Sequence, residues 1–182
     1  PCASGSLQPH VVPGSFVVPD QLVDRTWGRP DSFFDGTTGA PVHHVAFGDP
    51  YDDDLRTVAL AACRAEGVDT HDGGTVVTIQ GPRFSTRAES RWFGSHGWEV
   101  INMTQHPEAV LCREAGLRYA AIALITDFDA GLEGTGIPAV TMDEVFAFFE
   151  ANVETVRRVL FRALQADLPA GRIEAGPGFE RD

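Results

Sequence analysis

Apolar and polar positions along this chain switch repeatedly between a period of two and a period of 3.6. Short β-branched or apolar runs bounded by Gly, Pro and Asp predict strands at "GSFVVPD" (14–20), "VHHVAF" (42–47), "GTVVTI" (74–79), "EVINM" (99–103) and "RYAAIALIT" (118–126). Helical spacing appears in "DDLRTVALAACRAE" (53–66), where Leu55, Val58, Ala59 and Ala62 share a face, acids occupy the first turn and Gly67 follows the end. Further helices are predicted over "TRAESRWFGSH" (86–96), over "PEAVLCREAG" (107–116) and from Thr141 to about Leu164. The last carries Val145, Phe148, Phe149, Val153, Val156, Leu160 and Leu164 along one stripe. The stretch "DRTWGRPDSFFDGTTGAP" is broken every few residues by Gly, Pro, Asp or Thr and predicts loop. Repeats and low-complexity segments are absent from the sequence.

Strands alternating with helices imply an α/β fold, a mixed or mostly parallel central sheet flanked by helices. Ligands of such sheets bind beyond the carboxyl ends of strands. That rule gathers four segments on one surface: "CASGS" at the start, "QGPRFST" after Ile79, "NMTQHPE" after Ile101 and "TDFDAG" after Ile125. The opening "PCASGS" reads as a small-residue turn that follows a strand, and it lacks an initiator Met. The expectation is that an N-terminal portion lies upstream of Pro1.

Composition adds exclusions. A chain of 182 residues that is 43% hydrophobic and 22% charged can bury one sizeable core, so residues 1–182 are expected to form one domain. Its 14 basic and 26 acidic residues give a formal charge of -12, which repels a phosphate backbone and argues against nucleic acid as a partner. No apolar run approaches the ~20 residues of a membrane helix, so no membrane partner is expected. Cys2, Cys63 and Cys112 are odd in number and lack metal-type spacing, which points to reduced thiols and a cytoplasmic location.

Each strand-exit segment carries competing readings. Small residues in "CASGS" can turn the chain or expose consecutive amides as an anion nest. Thr86 with Glu89 fits a capping box, with Phe84 as a core residue beside it. Met103 can fill the core and Thr104 can cap the helix begun near Pro107. Asp127 and Asp129 can be an Asx turn, a metal site or readers of a ligand. They project to one side only if the backbone stays extended through Phe128. A metal would need more oxygen or nitrogen ligands than this segment supplies, and His43 and His44, adjacent in a strand, would point to opposite faces, so no metal is expected.

Taken together, "TVVTIQGPRFSTRAESRWF" and "VINMTQHPEAVLCREAGLRYAAIALITDFDAG", with the opening "PCASGSLQPHVVPGSFVVPDQLVDRTWGRPDSFFDG", resemble the purine nucleoside phosphorylase and methylthioadenosine phosphorylase family, in its methylthioadenosine branch. The resemblance covers all but the last dozen or so residues. It implies a three-layer α/β phosphorylase domain, a homotrimer, and a role in purine and methionine salvage. The implied reaction needs no cofactor: inorganic phosphate, as co-substrate, attacks C1′ of methylthioadenosine and releases adenine and 5-methylthioribose 1-phosphate.

By the same resemblance, the backbone at Cys2 and Ala3 and the hydroxyl of Thr104 hold phosphate, and Met103 lies against the ribose. Phe84 packs on the purine. Asp127 faces N7 and the exocyclic amine of adenine, with Asp129 nearby. Apolar surroundings should raise the Asp127 pKa and fit it to share a proton with N7. Asp127 and Ser85 favour adenine, since members of the family that take 6-oxopurines carry Asn and Glu at those places. Met142, Val145 and Phe146 offer an apolar wall for the 5′ end, and His44 is implied near it, donated by a neighbouring subunit. The family's preceding Gly-rich loop, with its Ser or Thr and an Arg-His pair on phosphate, is not found in the sequence. Two alternatives stay open: phosphorolysis of a 6-oxopurine nucleoside such as methylthioinosine, and a non-catalytic nucleoside-binding remnant.

Overall fold

The structure, a computed structural model, describes residues 1–37, 39–131, 136, 141–171 and 173–179. Seven strands form one mixed sheet: β1 (Cys2–Ser6), β2 (Phe16–Val18), β3 (Gln21–Arg25), β4 (Thr70–Asp72), β5 (Thr75–Ile79), β6 (Val100–Asn102) and β7 (Ala123–Asp127). Their order across the sheet is β3-β5-β6-β1-β7-β2-β4. Four helices are described, α1 (Asp53–Ala65), α2 (Arg87–Ser95), α3 (Gln105–Glu114) and α4 (Met142–Leu164). The α/β class and the mixed sheet flanked by helices are as the sequence implies.

The two faces of the sheet follow from strand alternation. Phe16, Val18 and Leu124 pack with Ala59, Leu60, Ala62 and Cys63 of α1 and with Val156 and Val159 of α4. The intervening Val17, Ala123 and Ile125 belong to a second cluster with Val11, Val76 and Val100. A third cluster seats Phe93 of α2 on Val77, Ile101 and Leu7.

Five sequence expectations are corrected here. "CASGS" is a central strand, β1, paired on both sides. Its small side chains look like turn residues because bulk is excluded at that point. "VHHVAF" forms no strand: Val42 is exposed, and the His43 amide donates to the Phe34 carbonyl at 3.3 Å instead of entering a ladder. Strand β3 begins at Gln21 and takes Asp24 and Arg25 out of the expected loop by pairing in parallel with β5. The predicted strand over 118–126 shortens to β7. In α4 the stripe is rotated, because Val159 is buried whereas Val153 and Leu164 are exposed.

The expected capping box is formed. Thr86 accepts from the Glu89 amide at 3.2 Å, and the Glu89 carboxylate accepts from the Thr86 amide at 2.7 Å. Arg83 adds a bidentate pair to Glu89, at 2.7 and 2.8 Å, and with these donors the Glu89 pKa is pushed down to about 2. Thr86→Ala should therefore destabilise the protein by about 1 kcal/mol, seen as a lower urea midpoint at unchanged slope. An unchanged midpoint would show that α2 does not depend on its cap.

Candidate active site

A cavity of about 350 Å³ opens at the β6-β1-β7 seam. It is lined by Ala3, Ser4 and Gly5 of β1, Ile79 and Phe84, and Ile101 to Thr104. Thr126, Asp127 and Asp129, with Val145 and Phe146 of α4, complete the lining. The four expected segments do converge, but they are not four strand exits pointing one way. β1 runs parallel to β7 and antiparallel to β6. The carboxyl ends of β6 and β7 therefore approach from opposite directions and overlap, because Gly5 is level with both Ile101 and Asp127.

The backbone does not stay extended through Phe128. β7 ends at Asp127, and Asp129 adopts a left-handed φ of 44°. The Asp129 amide donates to Asp127 Oδ1 at 2.7 Å, which is the Asx turn. The turn and the ligand-facing reading coexist, since both aspartates line the cavity.

Burial raises the Asp127 pKa above its ordinary value; hydrogen bonds from Thr126 and from the Asp129 amide oppose the rise without cancelling it. Thr126 Oγ1 lies 2.6 Å from Asp127 Oδ2 and 3.2 Å from the Ser4 carbonyl. A hydroxyl has one proton to give and two lone pairs. It can donate to an ionised Asp127, or turn to Ser4 and accept from a neutral one. The site thus accommodates both protonation states without rearranging heavy atoms.

Asp129 is buried, and its pKa is also raised by burial, with the hydroxyls of Ser90 and Ser85 opposing. Asp129 Oδ2 and Ser85 Oγ are both buried and make no hydrogen bond of ordinary geometry among the described residues.

Thr104 occupies the N-cap position of α3, but its hydroxyl caps nothing and is exposed. Its amide donates to Asn102 Oδ1 at 3.4 Å. That oxygen also accepts from Thr78 at 3.3 Å, while Asn102 Nδ2 reaches Ser4 Oγ at 3.4 Å. Buried Asn102 therefore fixes the turn that presents Met103 and Thr104. Sequence reasoning passed over Asn102, Ser4 and Thr126; for Asn102 and Thr126 the available signal was a polar residue toward the end of an apolar strand, whereas Ser4, in the middle of β1, had none.

Other expected positions fall outside the cavity lining. The Cys2 amide donates to the Ile122 carbonyl at 3.1 Å and is not free to hold an anion. Its thiol accepts from Gln105 Nε2 at 3.4 Å, and Gln105 is held in turn by the Tyr51 hydroxyl. Met142 and His44 are exposed, and neither lines the cavity of its own chain. Phe146 lines it while remaining 62% exposed, so this ring stands at the mouth. Among the described residues no cluster of three or more His, Cys, Asp or Glu could hold a metal.

A sequence model of the Phosphorylase superfamily matches residues 2–165, which include every element of the sheet and the cavity's lining. The chain belongs to that family. It is 58% identical over 167 residues to the S-methyl-5'-thioadenosine phosphorylase of Mycolicibacterium smegmatis, covering 91% of this chain and 60% of the relative. It is also 49% identical over 176 residues to the purine nucleoside phosphorylase of Streptomyces coelicolor, covering 93% of this chain and 61% of the relative. The chain thus spans about 60% of the length of these curated relatives. Among solved structures, the methylthioadenosine phosphorylase of Schistosoma mansoni in complex with adenine superimposes with a TM-score of 0.83 at 35% identity, over 91% of this chain and 65% of that one.

Proposed function

We propose that this chain forms the purine-binding part of a phosphorylase that converts 5′-methylthioadenosine and inorganic phosphate to adenine and 5-methylthioribose 1-phosphate, in purine and methionine salvage. The observation that carries this reading is Asp127, a carboxyl with a raised pKa on the wall of an otherwise largely apolar cavity. A phosphate oxygen bonds to C1′ as the C1′–N9 bond breaks, and the bonding pair leaves with the purine. Asp127 delivers or shares a proton at N7, where negative charge develops. Phe84 packs on the base, Met103 on the ribose, and Ala3 and the uncapped hydroxyl of Thr104 stand on the phosphate side.

Asp127 favours adenine because a carboxyl oxygen accepts from a 6-amino group. A 6-oxopurine nucleoside is the second reading, favoured by the Streptomyces relative. No cofactor is assigned beyond phosphate as co-substrate. The assembly we propose is a homotrimer in which a neighbouring subunit covers the exposed ring of Phe146 and supplies His44. A cytoplasmic location fits three free thiols and the finding that, among the described residues, no helix is long and apolar enough to cross a membrane.

The test is release of free base by the purified protein, with and without phosphate, from methylthioadenosine and from methylthioinosine. Phosphate-dependent adenine release is the expected outcome. Preferential hypoxanthine release would replace the substrate assignment, whereas nucleoside binding without turnover would favour a non-catalytic binding role.

A further inference from the structure

The side chain of Arg29 leaves the loop after β3 and enters the gap between the segments that follow β5 and β6. Its Nη2 donates to the carbonyls of Ile79 at 3.3 Å and Gln80 at 2.9 Å, and its Nε to Gln80 Oε1 at 3.2 Å. Its Nη1 donates to the carbonyl of Met103 at 3.0 Å and to that of His106. The Trp27 amide donates to the same Gln80 Oε1 at 3.2 Å, which fixes the loop from which Arg29 springs.

One rigid guanidinium therefore stitches together two backbone segments that share no ladder hydrogen bond with each other beyond the ends of their strands. The first segment leads through Gly81 to Phe84. Gly81 has φ +64°, and a Cβ there would lie 2.5 Å from Met103 Sδ. The second segment is Met103 and Thr104 themselves. The spacing between them is the spacing between the wall against the base and the wall against ribose and phosphate.

We propose that Arg29 is a positioning residue that sets the distance between the purine wall at Phe84 and the ribose and phosphate wall at Met103 and Thr104; this rests on the phosphorolysis reading. Planar donors aimed at carbonyls on both sides fix separation and angle together, which a single ammonium cannot do. Each wall still binds its own part of the ligands when the clamp is lost, but the reacting atoms lose alignment. Kinetically, kcat carries the loss. A misplacement of ~1 Å costs on the order of 100-fold.

The test compares wild type, Arg29→Lys and Arg29→Ala, with kcat expressed per folded molecule, together with hydrogen exchange of segments 80–85 and 103–106. The expected result is a fall in kcat of about 100-fold for both variants, with KM for nucleoside and for phosphate changed by less than about threefold. Exchange should accelerate in both segments and not in β5 or β6, and added methylguanidinium should partly restore Arg29→Ala. A purely structural role would lower the melting temperature and the folded fraction while leaving kcat per folded molecule within about threefold, and that result overturns the proposal. Should the wild type show no turnover, the phosphorolysis reading fails by itself. Hydrogen exchange then decides: faster exchange in both segments with adenine binding retained sustains the clamp, and unchanged exchange overturns it.

Discussion

Asp127→Asn is expected to leave the protein folded and more resistant to unfolding at neutral pH than the wild type, while adenine release from methylthioadenosine falls by about 10²–10⁴-fold. Both effects have one cause. The folded-state pKa of Asp127 lies above its ordinary value of 3.8, and burial is the leading reason. A carboxyl with a raised folded pKa contributes stability that is fully present below the unfolded pKa and lost as pH rises through the folded one. Ionising this carboxyl as pH rises is therefore opposed by the fold, which prefers the neutral group. Asn removes that cost and keeps hydrogen-bonding capacity toward Thr126 and the Asp129 amide. The stability gap, followed by urea unfolding at a series of pH values, should therefore widen from acid toward neutral pH.

The same substitution abolishes proton transfer to N7. Activity of the wild type should fall as pH rises through the Asp127 pKa, and this alkaline limb should be missing from any residual activity of the variant. Because an amide nitrogen can donate to a 6-oxo group, the residual activity should shift toward methylthioinosine. A variant with wild-type turnover would show that the Asp127 carboxyl is not used for proton transfer, and one less stable than wild type at neutral pH would show that it is not strained by burial.

How much of this was legible in the sequence depends on which interaction decides each element. Helices were legible because their determinants are local. Thr86 with Glu89 and Thr141 with Glu144 mark helix starts within four residues, and both pairs form capping boxes. The buried strands were legible as apolar runs, but their ends were not: Asn102 closes β6 and Thr126 stands next to last in β7, and both bond to Ser4 of β1. β3 and β4 are short, carry few apolar residues and exist through pairing with distant segments. "VHHVAF" failed in the opposite sense, having strand composition yet joining no strand, with the His43 amide given to the Phe34 carbonyl.

The strand β1 was the least legible element and is the most consequential. Its sequence has no apolar periodicity, since Cys, Ala, Ser and Gly are selected by the room between β6 and β7 and not by intrinsic preference. The two strands that bring Asn102 and Asp127 to the cavity are nevertheless both paired to it. The fold supplied what composition could not, namely that small residues are required there.

That requirement is sharpest at Gly5, where alanine is expected to cost about 1–3 kcal/mol of stability and most of the activity. A Cβ at this position would lie 2.9 Å from Asp127 Oδ1, 3.0 Å from Ile101 Cγ2 and 3.3 Å from the Asp129 amide nitrogen. Ile101 cannot retreat easily, being buried against Leu7, Val77 and Phe93. The carboxylate must then rotate and lose the 2.7 Å bond from the Asp129 amide, or the β1/β7 pairing must shift at the irregularity between Ser4 and Gly5. Either response moves Asp127 away from the place where it meets the base.

Gly48→Ala is the matching control, because a Cβ there meets nothing within 4 Å and the residue has no left-handed φ. It should be neutral, or stabilising by up to about 1 kcal/mol through the unfolded chain. The decisive measurement is a double-mutant cycle on turnover. If Gly5 acts through Asp127, Gly5→Ala should have little further effect on turnover in the Asp127→Asn background, because the group it displaces has already lost its proton-transfer role. Strict additivity would instead place the damage in the Ile101 cluster and leave the carboxylate undisturbed.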